Sequence, residues 1–161
     1  MNVKRVLFVC TGNSCRSVMA ERLMKRLLRD AAIEGVEVAS AGAFAIDGMP
    51  ATREAQTILQ EAGIEAAAHR SRRLTREMIE EADLILVMES FHAEHILQEV
   101  PSARGKVHLL KSYGLARGET AAGHPGIQDP IGKPLEVYEV CFGEIREAVE
   151  RVVKSLGAHS V

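Results

Sequence analysis

The sequence lacks long hydrophobic runs, a dominant charge and a useful number of cysteines. No stretch approaches the ~20 apolar residues that a membrane span needs. The run Val6-Leu7-Phe8-Val9 is too short for a signal-peptide core and leads into polar residues, so it reads as a buried strand. Without either signal, the chain is expected to be cytoplasmic and to have no membrane partner. The formal net charge is -2, and the 26% charged residues are mixed in sign. That balance gives no reason to expect nucleic acid as a partner. Arg70, Arg72, Arg73 and Arg76 form a local basic cluster that reads as a solvated loop and helix start. Three cysteines cannot build a disulfide framework, which fits a reducing compartment. There is no linker, repeat or low-complexity segment. With 47% hydrophobic residues, the 161-residue chain has enough apolar surface for one domain spanning 1–161.

What is present is a regular alternation of strand and helix patterns. Val6 to Val9 is a continuous apolar run, as expected of a strand covered on both faces. Met19, Ala20, Leu23, Met24, Leu27 and Leu28 then share one helical face, with Glu21 and Lys25 paired at i,i+4 outside. Residues 36–41 predict a second strand, closed by Gly42. Pro50 fits the first turn of a helix whose stripe is Ala55, Ile58, Leu59 and Ala62, with Gly63 as its cap. Thr75 predicts the N-cap of a short helix reaching Glu81. Residues 84–88 form the strongest strand pattern. A helix over 91–99 and a strand over 106–109 follow. Residues 113–134, rich in glycine and proline, predict a long loop of the kind that often carries function. A closing helix over 135–156 puts Tyr138, Cys141, Phe142, Ile145, Val149, Val152 and Val153 on one face, so Cys141 is read as core. This order implies an α/β layered domain around a mostly parallel sheet. Crossovers should be right-handed, and a ligand should sit at the C-terminal strand ends.

Cys10 stands at such an end, and Arg16 follows after five residues. A loop of that length can curl with successive N–H groups pointing inward. The following helix adds unpaired N–H groups and a positive dipole end. Together they make a cradle for a phosphate dianion, from Thr11, Gly12, Asn13, Ser14, Cys15, Arg16 and Ser17. Arg16 adds a planar fork for two phosphate oxygens. The same field favours a thiolate at Cys10, a competent nucleophile toward phosphorus. Ser17 can donate to that thiolate; its plainer reading is a helix cap. Cleavage also needs an acid that later serves as base. Asp129 in the long loop is the candidate, against the plainer reading of an Asp-Pro turn.

These features resemble the low-molecular-weight protein tyrosine phosphatase family. The matches are residues 9–17, Ser40-Ala41-Gly42, His69-Arg70-Ser71, residues 82–88 and Asp129-Pro130, in family order along nearly the whole chain. The resemblance implies a three-layer sandwich around a four-stranded parallel sheet in the order 2-1-3-4. It implies Cys10 as nucleophile, Arg16 as phosphate clamp, Ser17 as thiolate donor and Asp129 as general acid then base. It further implies that Asn13, Ser40 and His69 brace the loop, that phosphorylated proteins or peptides are the substrates, and that the protein is a monomer. No metal or cofactor is required.

Two features resemble the bacterial protein arginine phosphatases within that family. Thr11 follows the nucleophile where tyrosine enzymes usually carry an aliphatic residue. The segment after Asp129-Pro130 lacks the tandem aromatics that suit a phenyl ring. A guanidinium wants acceptors instead, and Thr11 and Asp129 can supply them. The plainer reading of Thr11 is a β-branched residue continuing the strand. Val18 replaces a common proline, and Ile131 stands where an aromatic is expected, leaving Phe44 as a rim aromatic. The same resemblance allows a reversible disulfide between Cys10 and Cys15; a buried small hydrophobe is the other reading of Cys15. A tyrosine phosphatase is the alternative activity. An arsenate reductase would need further cysteines, and residues 82–95 contain none. A non-catalytic phosphate-binding module would not need Cys10, Arg16 and Asp129 together. His92 and His95, three apart, are read as a solvated helix face rather than metal ligands.

Overall fold

The apolar run at the N-terminus becomes strand β1 (Arg5–Cys10), buried from Val6 to its end. The computed structural model describes residues 2–116, 118–119 and 123–158. Residues 117 and 120–122 of the long loop, and residues 1 and 159–161 of the 1–161 span, lie outside the described residues. Helix α1 (Arg16–Asp30), β2 (Glu37–Gly42), α2 (Arg53–Glu61), α3 (Arg76–Glu81), β3 (Leu84–Val87) and α4 (Ser90–Glu99) follow. A 3-10 turn (Pro101–Lys106), β4 (Val107–Leu109) and α5 (Leu135–Ala158) complete the chain. The four strands are parallel in the order β2-β1-β3-β4, the expected 2-1-3-4 arrangement.

Strand alternation divides the core into two layers. Val6, Phe8 and Cys10 face α1, α2 and α5, while Leu7 and Val9 face α3 and α4. Full burial of side chains such as Phe8 contributes roughly 1.5–3 kcal/mol each. Because β1 and β3 are neighbours, the segments that follow them meet at one end of the sheet.

Three local expectations change. Pro50 does not open α2; Thr52 is its N-cap, with Oγ1 accepting from Ala55 N–H at 3.2 Å. A threonine cap satisfies a helix-end donor, which proline cannot do. Glu21 pairs with Lys25 at 3.0 Å as expected, yet its carboxylate is buried rather than solvated, because Oε1 also accepts from Ser40 Oγ at 2.7 Å. His92 is fully buried, and His95 is half-buried with its ring 4.9 Å from that of Phe44, so this is not a solvated face.

Candidate active site

Residues 11–15 join β1 to α1 through a tight curl. Asn13 sits at φ 54°, a left-handed conformation that asparagine tolerates better than most residues. Its amide holds the curl. Nδ2 donates to Ser17 Oγ at 2.8 Å and to Ser40 Oγ at 2.9 Å. Oδ1 accepts from Arg72 N–H at 2.9 Å. The Asn13 carbonyl accepts from His69 Nε2 at 2.8 Å. Burial pushes the His69 pKa down, so the imidazole is neutral there. Arg72, read from the sequence as part of a solvated cluster, thus uses its backbone N–H inside the site, and its Nη2 donates to the Ser40 carbonyl at 3.3 Å.

Gly42, at the end of β2, leaves room for this curl. A Cβ there would lie 2.6 Å from the Thr11 carbonyl and 2.8 Å from Asn13 N. Gly42→Ala is expected to destabilise by about 1–3 kcal/mol. Turnover at this loop should fall with it; an unchanged melting temperature and unchanged kcat/KM would show that the loop can yield.

Cys10 Sγ, at the end of β1, lies 2.9 Å from Ser17 Oγ and accepts from Asn13 N–H at 3.3 Å. Ser17 is inside α1 and makes no cap. The N–H groups of Gly12, Ser14 and Cys15 have no protein acceptor among the described residues. Arg16 opens α1 with its side chain almost wholly buried. Nη1 donates to Glu89 Oε2 at 2.6 Å and to the Ile127 carbonyl at 2.8 Å. Nη2 donates to Thr11 Oγ1 at 3.3 Å and lies 3.5 Å from Asp129 Oδ2. Nε is buried with no partner among the described residues. Burial opposes the charge, but Cys10, Glu89 and Asp129 outweigh it and raise the Arg16 pKa.

Asp129 is brought to the same end of the sheet by the long loop. Its Oδ1 accepts from Ile131 N–H at 3.1 Å, an Asx turn, and from Cys15 Sγ at 3.8 Å. The turn and the contact with Arg16 coexist. Cys15 is buried, and burial together with the charges of Cys10 and Asp129 pushes its thiol up. Burial likewise raises Cys141 to about 12, as suits its place in the core. All three cysteines are free thiols. Phe44 donates its N–H to the Thr11 carbonyl at 3.0 Å and leaves its ring half exposed. Ile131 is exposed beside Asp129.

Glu89 and His92 are the site residues that the sequence reading missed. Glu89 follows β3 by two residues and is the N-cap of α4. The pair forms a reciprocal capping box, with Glu89 N–H donating to His92 Nδ1 at 3.0 Å. His92 Nε2 then reaches Thr11 Oγ1 at 2.9 Å. The available signal was a polar pair three apart at the end of the strand beside β1.

A family model described as low molecular weight phosphotyrosine protein phosphatase matches residues 5–161. The chain belongs to this family. A protein-arginine-phosphatase of Geobacillus stearothermophilus is 42% identical over 153 residues, covering 94% of this chain and 95% of the relative. The low molecular weight protein-tyrosine-phosphatase Etp of Escherichia coli (strain K12) is 35% identical, covering 94% and 93%. Among solved structures, a mutant of the YwlE arginine phosphatase with a phosphorylated active-site serine superposes with a TM-score of 0.85 at 35% identity, covering 95% of each chain. This member of the family therefore has relatives of both substrate types.

Proposed function

We propose that the chain is a protein arginine phosphatase that works through a phosphocysteine intermediate. The observation that carries the substrate choice is the Thr11 hydroxyl, half-buried beside Arg16 at the start of the loop. The named activity of the Geobacillus relative supports the same reading.

The unpartnered Arg16 Nε and the loop N–H groups suit a phosphoryl group, since a buried donor left unmet costs about 1–3 kcal/mol. Bound there, phosphorus lies over Cys10 Sγ. The S–P bond forms as the bond to the leaving nitrogen or oxygen breaks. Asp129 gives its proton to the departing atom, then takes one from the water that attacks the phosphocysteine. Hydrolysis returns Cys10 as thiolate and releases phosphate. Ser17 Oγ at 2.9 Å steadies the thiolate before attack and after release. Protein side chains bearing phosphate are the substrates.

The test is kcat/KM on a phosphoarginine peptide against a phosphotyrosine peptide of matched sequence. A preference for phosphoarginine is expected, reduced in Thr11→Val. A clear preference for phosphotyrosine, with Thr11→Val changing little, would make the chain a tyrosine phosphatase of the same family.

A further inference from the structure

His92 plays no part in the chemistry above, yet it is fully buried and makes two directed hydrogen bonds. Nδ1 accepts the Glu89 N–H at 3.0 Å, so that nitrogen carries no proton. A neutral imidazole then bears its hydrogen on Nε2, which donates to Thr11 Oγ1 at 2.9 Å. Burial and the Arg16 cation push the His92 pKa down to about 4, against the pull of Asp129. At neutral pH the ring is therefore held in one tautomer.

A threonine hydroxyl has two lone pairs and one proton. His92 takes one lone pair, and Arg16 Nη2, at 3.3 Å, takes the other. We infer that His92 is a specificity-determining positioning residue, which fixes the direction of the Thr11 hydroxyl at the loop where the leaving group must lie. The inference rests on the reading of Thr11 as a substrate contact. When Arg16 turns its donors to a phosphate, the lone pair it held is released, while the His92 bond stays. That lone pair keeps a fixed direction, and a guanidino N–H can fill it. The aryl group of phosphotyrosine has no such donor. Without His92 the hydroxyl turns freely, and its hydrogen bonding no longer discriminates as sharply.

His92→Asn separates the two bonds of the ring. The shorter amide keeps an acceptor for Glu89 N–H but has no donor reaching Thr11; His92→Gln extends a donor back toward it. The measurement is the ratio of kcat/KM for matched phosphoarginine and phosphotyrosine peptides, in wild type, Thr11→Val, His92→Asn and the double variant. The ratio should fall about tenfold in His92→Asn and recover in part in His92→Gln. It should not fall further when His92→Asn is added to Thr11→Val. A lost cap or a loosened loop lowers both substrates together and cancels in the ratio. An unchanged ratio in His92→Asn, or a second independent fall on the Thr11→Val background, overturns the inference. Should His92→Asn not fold, His92→Gln with Thr11→Val reads the same coupling. Wild-type preference for phosphotyrosine would defeat the arginine reading by itself, leaving the coupling between positions 11 and 92 to be read from the same proteins.

Discussion

Cys10→Ser is expected to lower hydrolysis of p-nitrophenyl phosphate by roughly 10⁴-fold or more, the scale on which loss of a covalent nucleophile acts. The surroundings of Sγ explain the size. Ser17 Oγ and the Asn13 N–H can both stabilise an anion at that position. A thiol ionises far more readily than a hydroxyl, so serine offers little nucleophile to the same donors. Among the described residues, the polar contacts of Cys10 include no base that could take a serine proton. The proposed phosphate contacts, Arg16 and the loop N–H groups, are untouched by this change, so titration with inorganic phosphate should show binding retained. Slow attack by the serine would leave a phosphoester, whose alkoxide is a poorer leaving group than a thiolate and which is therefore hard to hydrolyse. Mass spectrometry of Cys10→Ser after incubation with substrate should then find a fraction heavier by one phosphoryl group. Undiminished turnover in this variant would refute the nucleophile assignment.

The fold was legible because burial on both faces writes a simple pattern. Residues 6–9 and 84–87 are unbroken apolar runs, and they form the central pair of the sheet. The Cys10 loop was legible for a related reason: its spacing is local, confined between one strand and one helix. Glu89 and His92 were not, because their partners are distant. Arg16 lies 73 residues from Glu89, and Thr11 lies 81 from His92. Helical periodicity says which residues share a face but not what meets that face. Glu21 shows the same limit, since its i,i+4 partner is visible in the sequence while Ser40 on β2 is not. Pro50 misled because proline is permitted at several positions before a helix, whereas Thr52 makes the bond that fixes the start. Such buried polar partners are costly to leave unmet, so each acts with its neighbours rather than alone.

Asp129→Ala should give a loss that grows with the basicity of the leaving group. Nitrophenolate departs as a stable anion, so cleavage of p-nitrophenyl phosphate needs little help from an acid. The phenol of tyrosine has a pKa of about 10, and it needs more. Arginine's guanidino group holds its proton far above that, so its nitrogen must be protonated as the bond to phosphorus breaks. A positioned general acid contributes about 10²–10⁴-fold, and the phosphoarginine peptide should lose the upper end of that range. Asp129 also lies 3.5 Å from Arg16 Nη2, so the alanine change removes a carboxyl group from beside Arg16. Asp129→Asn separates the effects. Its amide oxygen can still accept from Ile131 N–H, keeping the turn, but it has no carboxylic proton to give. Equal losses in the two variants, steepest for phosphoarginine, assign the effect to proton transfer. Losses that are the same for all three leaving groups would instead mean that Asp129 serves only to position Arg16, and that the proton comes from elsewhere.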